Sequence, residues 1–262
     1  MLLWFFKCMR IKMFPSLFIF FSCAFVLTQC QMDLAEHFKD CHVSGPDFDT
    51  CIKDGLNDLR PFFNEGLPDY EILPFDPFFA PEVPQKRSLP FFNYKLLLKN
   101  VTESGWTASQ VTRFKTDFSK NQIQVTQFFP DKKLDGWYEI EGSFFGRKFQ
   151  NQGSWKLSLF DYIQTLTVVR KSVKDSDGYE KENPQIKVKC SIQSCKKLGL
   201  HIDHLAGGLT IVENILDRII NNAWQPGFVV LSPLINDLVG TAFTEIFNKN
   251  FQHFPFERIF HN

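Results

Sequence analysis

The stretch Ser232–Phe251, SPLINDLVGTAFTEIFNKNF, decides how the rest of the chain is read. Together with Leu231, its apolar residues are Leu234, Ile235, Leu238, Val239, Ala242, Phe243, Ile246 and Phe247. They recur at i, i+3, i+4 and i+7, the period of one helix face. Ser232 suits an N-cap, and Pro233 suits the first helical position, where a missing N–H leaves no bond unmade. Pro255 forbids much continuation. At roughly 1.5 Å per residue the predicted helix is about 30 Å long. Its other face, through Asn236, Asp237, Gly240, Thr241, Thr244, Glu245, Asn248 and Lys249, is polar but thinly charged. Such a helix needs a large apolar partner surface.

The preceding sequence supplies one. Ile211–Ala223 predicts a shorter amphipathic helix with Ile211, Val212, Ile215, Ile219 and Ile220 turned inward. From Phe91 to Asp203 the signals are those of strands, with Ile123, Val125, Gln127 and Phe129 alternating and Gly142, Gly146 and Gly153 punctuating the later runs. The predicted strands are Tyr94–Val101, Gln110–Phe118, Gln122–Phe129, Gly136–Phe144, Arg147–Gly153, Trp155–Lys171 and Pro184–Asp203. Short connections make them an antiparallel meander. The run from Trp155 to Val169 is long for one strand and should be bent or bulged.

Nearer the start, Phe48, Ile52, Leu56, Leu59 and Phe63 share a helical face, with Pro46 before it and Gly66 as a C-terminal cap. Five prolines between Pro68 and Pro84 predict an extended crossing without regular structure.

The first 30 residues read as a secretory signal. Lys7, Arg10 and Lys12 precede the apolar run Met13–Leu27, and no acidic residue occurs before Asp33. Cleavage is expected after Cys30, with Ala24 as the other site. The run is too short and too polar at its end for a transmembrane helix. Residues 31–262 form one predicted domain, with 26 basic and 29 acidic residues and a net charge of −3. Without a basic run, neither nucleic acid nor an anionic membrane is the expected main partner. Four of the seven cysteines remain: Cys41, Cys51, Cys190 and Cys195. An even count in a secreted chain favours disulfides, and Cys41–Cys51 with Cys190–Cys195 is the most local of the possible pairings. Asn100-Val101-Thr102 is a glycosylation sequon.

No catalytic constellation emerges. His201, Asp203 and His204 look like metal spacing, but on a strand His201 and Asp203 share a face that His204 does not, so they read as a solvated strand end. Neither G-x-S-x-G nor H-E-x-x-H occurs, and the carboxylates are scattered singly. The chain is read as neither an enzyme nor a metalloprotein, with no cofactor.

Taken in order, several landmarks resemble the takeout and juvenile hormone binding protein family of secreted insect carriers. They begin with Cys41 and Cys51, with Asp47-Phe48 between them and Leu59-Arg60-Pro61 after. Gly66-Leu67-Pro68, Leu73-Pro74-Phe75-Asp76-Pro77 and Asn100-Val101 with Gly105-Trp106 follow. Next come Pro130, Tyr138-Glu139-Ile140-Glu141-Gly142 and Gly153, then Asn222-Ala223-Trp224 and Phe254-Pro255-Phe256. The resemblance covers about Cys41 to Phe260. It implies an α+β fold in which a highly curved antiparallel sheet wraps one long C-terminal helix, a tubular, TULIP-like super-roll with an apolar cavity. It also implies a monomeric, non-enzymatic carrier of a small hydrophobic ligand without stable membrane insertion. The hormone-binding branch has a second disulfide reaching the C-terminal helices. No cysteine lies there in this chain, which places it nearer the takeout branch.

Phenylalanine dominates the composition, with 31 in all and 24 after Cys30. Rings can line a cavity for a terpenoid, acyl chain or quinone, or simply fill a core. The expected walls are Leu56, Leu59 and Phe63 on the first helix and Leu234, Ile235, Leu238, Val239, Ala242 and Phe243 on the long one. Phe75, Phe78, Trp155, Trp224 and Phe228 would close the ends, and Tyr138 or Tyr162 could offer a hydroxyl. Burying about 15 carbons gains on the order of 10 kcal/mol before ordering costs. The competing expectation is a secreted module that binds a membrane surface or a protein, its tube filled by its own side chains. A lipid-modifying enzyme is a third.

Overall fold

The computed structural model describes residues 33–171, 185–204 and 210–250, with side chains for all of these except 89, 210–212, 216, 227–231, 234 and 250. The predicted signal, the end of the chain beyond 250 and Phe254-Pro255-Phe256 lie outside the described residues.

Two long strands form the spine. β4 (Gln122–Phe144) and β5 (Arg147–Lys171) are joined by the turn Phe145-Gly146 and pair antiparallel along their whole length. On one side of β4 lie β2 (Phe92–Ser104) and, beyond it, the edge strand β1 (Phe78–Leu89). β3 (Gln110–Asp117) pairs with the remaining half of β4. On the far side of β5 lie β6 (Gln185–Ser194) and β7 (Lys197–Ile202), end to end. The result is an open, curled antiparallel sheet of seven strands.

The sheet changes course at one rung. Phe129 pairs with Tyr162 and Asp131 with Phe160, but the rung between them, Pro130 opposite Asp161, is missing from the ladder. Pro130 has no N–H to give, and Asp161 has a left-handed φ of +47°. Both strands swap faces there. In β5 the buried residues Trp155 and Leu159 are odd-numbered, whereas Tyr162, Gln164, Leu166 and Val168 are even. In β4, Gln127 and Phe129 give way to Lys132 and Tyr138. Because both strands flip together, the register survives. The handovers from β3 to β2 and from β6 to β7 fall beside the same rung. The bend expected in Trp155–Val169 is this feature.

Several predicted boundaries are corrected. Gln122–Phe129 and Gly136–Phe144 are one strand, as are Arg147–Gly153 and Trp155–Lys171. In β4 the missing rung interrupts hydrogen bonding without ending the strand, and in β5 the ladder runs unbroken across Gly153 and Ser154. Pro184–Asp203 is instead two strands, broken at Cys195-Lys196. The proline-rich segment opens in a 3-10 turn at Pro68–Tyr70, and only its end, from Phe78, enters β1, which an edge position allows because one row of N–H groups is not needed there. Pro81 falls opposite Asn100, at a bulge in β2 where Asn100 takes a φ of +50°.

Among the described residues, four α-helices complete the fold: α1 (Leu34–His37), α2 (Phe48–Asp58), α3 (Thr210–Asn222) and α4 (Trp224–Asn250). α2 stops before Pro61 and hands over to a 3-10 turn at Arg60–Asn64, so Gly66 is not its cap. The Cys41–Cys51 disulfide ties the incoming segment to it. α4 begins at Trp224, so Ser232 is not its N-cap and Pro233 lies inside it, leaving one i→i−4 bond unmade. Trp224 ahead of the proline and Phe243 behind it pack on one core.

The helices close the open edges of the sheet with polar side chains. Along α4, Asn236 Oδ1 accepts from Ile192 N–H (3.1 Å), Thr244 Oγ1 from Val188 N–H (2.9 Å) and Asn248 Oδ1 from Ile186 N–H (2.9 Å). Asn248 Nδ2 donates back to the Ile186 carbonyl (2.7 Å). Gly240 fits between, where an added Cβ would lie 3.1 Å from the Val188 carbonyl oxygen. Four helical residues rise about 6 Å and two strand residues about 6.7 Å, so the two backbones keep step over this length. Asn221 of α3 brackets Leu200 of β7 in the same way (2.7 and 3.1 Å), and Asn57 of α2 brackets Val111 of β3 (2.9 Å each way). The face of α4 expected to meet water is thus partly its seam with β6. α3 is corrected likewise: Ile215 and Ile219 are exposed, while Asp217 and Asn221 meet β7.

Candidate functional site

The main core lies between the inner face of the sheet and α4. Its buried members include Phe78, Val101, Trp106, Phe129, Tyr138, Trp155, Tyr162, Leu166 and Phe243. Trp106 meets the ring of Phe129 at 5.2 Å and that of Phe243 at 5.7 Å, both edge-on, and Phe129 meets Tyr162 at 6.1 Å. Sheet and helix therefore share one aromatic seam, built by the face swap at Pro130 and Asp161.

A charged pair sits inside it. Lys132, 3% exposed, places its ammonium 2.6 Å from a carboxylate oxygen of Glu103. The rings of Phe129 and Trp106 lie 4.3 and 4.9 Å from the ammonium, close enough for cation–π attraction to offset some lost hydration. Lys132 also donates to Gln164 Oε1 (3.4 Å), whose amide donates to Gln127 (3.4 Å). Nearby, the buried indole N–H groups of Trp106 and Trp155 have no hydrogen-bond partner. Burial pushes the Cys190 thiol up to about 11 and the Tyr162 hydroxyl well above its ordinary value, so both stay neutral at physiological pH. The arrangement can bury apolar surface and hold one polar group; it contains no activated nucleophile.

A second cluster of polar groups, Ser154, Asp203, His201 and Asp217, resembles a catalytic relay only in composition. Ser154 donates to Asp203, and His201 lies between Asp203 and Asp217. The histidine does not touch the serine, so it has no route to that proton. The strand end is solvated, as expected from the sequence, and it also forms a latch between β7 and α3. No metal-binding group of three or more ligands occurs among the described residues, and no helix among them is long and apolar enough to cross a membrane.

The expected wall residues divide into two groups. Phe78, Tyr138, Trp155, Tyr162 and Phe243 are buried in the main core, with Phe63, Phe75, Trp224, Leu238, Val239 and Ala242 packed against it. Leu56 and Leu59 instead join Leu34, Phe38, Cys41, Phe48 and Ile52 in a smaller cluster under α2, and Phe63 packs against both this cluster and the main core. Ile235 is half-buried on α4. The side chains of Phe228 and Leu234 lie outside the described residues. The Tyr138 hydroxyl is already committed, donating to the Asp203 carbonyl at 2.8 Å. Cys190 and Cys195 are free thiols, correcting the local pairing. Cys190 faces inward on β6 while Cys195 lies beyond the strand's end. The four steps from Cys190 to the strand's end at Ser194 already span roughly 13 Å, beyond the roughly 7 Å a disulfide can bridge.

Sequence reasoning missed Glu103, Lys132, Gln164 and Phe129. Lysine and glutamate read as solvent-facing in any strand, and the alternation that would place Lys132 and Gln164 inside changes sense at the Pro130–Asp161 rung. Trp106, beside a left-handed Gly105, was the one available signal.

The family model described as haemolymph juvenile hormone binding protein (JHBP) matches residues 17–261. Among solved structures, the chain is similar to Epiphyas postvittana Takeout 1, with a TM-score of 0.56 and 19% identity over 80% of this chain and 92% of that one. A lipopolysaccharide binding protein aligns with a TM-score of 0.30 and 14% identity over 78% of this chain and 39% of the other. By sequence, no curated protein matches.

Proposed function

The chain belongs to the haemolymph juvenile hormone binding protein family, and from that premise we propose that it is a secreted carrier of a small hydrophobic ligand. The observation that carries the reading is the aromatic face between sheet and α4, with one buried polar pole at Glu103 and Lys132. A ligand with a long apolar body and one polar end, such as a terpenoid, a fatty acid or a quinone, suits that combination. Its body would lie against Phe78, Trp155, Leu238, Val239, Ala242 and Phe243, and its polar end would approach the Trp106 N–H. We further propose that residues 1–30 are removed on secretion and that Asn100, exposed at its bulge, is glycosylated.

The test is native mass spectrometry of the secreted protein, followed by denaturing extraction and identification of what is released. Near-stoichiometric lipid is expected, together with its loss from Ala242→Trp, which fills the shared face without removing a polar group. An empty protein that also takes up no isoprenoid, fatty acid or quinone would exclude the carrier reading and favour a self-filled core.

A further inference from the structure

The two hairpin turns at one end of the sheet form a single aromatic tip. Phe91, in the β1–β2 turn, accepts on its carbonyl from Phe145 N–H in the β4–β5 turn (2.8 Å). The rings of Phe91 and Phe145 stack at 5.2 Å, and Phe144 meets Phe145 edge-on at 4.7 Å. All three are open to solvent, 65%, 56% and 67% exposed for Phe91, Phe144 and Phe145. Nothing in the fold requires this. Phe145 sits at φ +48° in a two-residue turn followed by Gly146 at +80°, positions that asparagine and glycine fill with less strain. A bulky ring held in the left-handed region and buried against little is a departure from folding economy, and departures of this kind collect at functional surfaces.

The surroundings indicate what the tip meets. An open basin of about 660 Å³ lies beside it, lined in part by Lys86, Arg87, Tyr94, Lys95 and Lys148. Arg147 follows the turn and is exposed. Against these cations stand Glu141, paired with Lys95 at 2.8 Å, and Asp237, 3.3 Å from Arg87. The sequence has no basic run because the cations come from three strands, β1, β2 and β5, and converge only on folding. Exposed rings at an apex with a cationic collar are the composition of a surface that enters the headgroup boundary of a bilayer while its lysines and arginines meet lipid phosphates. A protein partner would call for a flatter patch with its own buried centre. We propose that Phe91, Phe144 and Phe145 form a reversible docking tip for anionic phospholipid membranes, with Lys86, Arg147 and Lys148 as its electrostatic collar. This goes beyond the carrier reading and does not depend on it.

The experiment is co-sedimentation of the full secreted chain with phosphatidylcholine vesicles, with and without phosphatidylserine, at low and high salt. Binding is expected to strengthen with phosphatidylserine and weaken with salt. Phe91→Ser with Phe144→Ser should lower partitioning roughly tenfold or more per ring. Lys86→Glu with Lys148→Glu should abolish the preference for phosphatidylserine. Phe145→Asn separates docking from folding, because it should bind vesicles more weakly while unfolding at a higher temperature than the parent. Absence of vesicle binding by the parent chain, or binding untouched by these variants, overturns the proposal. So does a soluble protein that occupies the tip while vesicles do not. Lipid extraction from the same variants keeps the two readings apart: a tip variant that still carries its ligand supports both. A vesicle-binding chain that never yields a ligand leaves docking standing and removes the carrier.

Discussion

The seam between α4 and β6 and the tip at Phe91, Phe144 and Phe145 invert one another. At the seam, Asn236, Thr244 and Asn248 leave water to bond the backbone of a strand. At the tip, three phenylalanines leave the core for water. Read as a pattern of polar and apolar residues, each region is assigned to the wrong side. An open sheet edge is a row of unpaired donors and acceptors, so a helix laid along it serves the fold better with amides than with leucines. A hairpin apex has nothing above it to pack against, so an aromatic residue there serves the fold only through the rings beside it. Polar residues at the seam are structural; the apolar residues at the tip are the ones that ask for a function.

The largest effect should come from breaking the seam. Asn236→Leu with Asn248→Leu keeps helix propensity and bulk but strands the N–H groups of Ile192 and Ile186 and the Ile186 carbonyl. At about 1–3 kcal/mol for each stranded group, urea unfolding should show a loss of several kcal/mol. Gly240→Leu should join this class, since its side chain would strike the Val188 carbonyl and push the helix off the strand. A double variant within about 0.5 kcal/mol of the parent, as expected of an ordinary surface change, would mean that water serves the edge as well as the helix does.

A smaller effect of opposite sign is expected at the tip. Phe145→Asn removes a ring that is two-thirds exposed and relieves a left-handed φ that costs a bulky residue roughly 1–2 kcal/mol. The gain in unfolding free energy should be about 1 kcal/mol. A loss of that size would place Phe145 among the structural aromatics and erase the contrast with the seam.

How much of this the sequence disclosed follows from the same distinction. The long helix, the strand-rich middle, the Cys41–Cys51 tie and most of the apolar residues on the shared face were legible, because burial imposes a period and periods can be read. The Pro130–Asp161 rung was not. It changes the sense of alternation in both long strands at once, and a break in alternation looks like the end of a strand. That hid Lys132 and Gln164 inside the core and divided β4 in two, while β5 was divided at Ser154 because Gly153 read as a break in a ladder that is intact there. Glu103 was hidden for a different reason: a buried glutamate depends on a partner brought from another strand. Leu56 and Leu59 were legible as apolar but not as belonging to a separate cluster, since periodicity shows that a face is buried and not what buries it.

The latch between β7 and α3 offers the subtlest test, because its strength should depend on pH. His201 is tied to Asp217 and, at 2.8 Å, to Asp203. Its pKa is raised above the ordinary 6.5, chiefly by the hydrogen bond with Asp217. Asp203 is lowered below the ordinary 3.8, chiefly by the hydrogen bond from Ser154. A raised histidine contributes stability that is fully present below its unfolded value and fades as pH climbs through its folded one. A lowered carboxylate contributes above its unfolded value and fades as pH falls through its folded one. The latch is therefore strongest between about pH 4 and 6.5 and loosens on the alkaline side. Both side chains are more than a third exposed, so solvent screening keeps the effect small. Amide exchange at Leu200, which Asn221 of α3 brackets, should be slower in the parent than in His201→Gln at pH 5, with the difference fading as pH rises through the raised pKa of His201, once intrinsic exchange is corrected for. A difference that persists unchanged across that range would show that the imidazole holds α3 by its shape, and that polar contacts at this edge, like those of Asn221 beside it, work without charge.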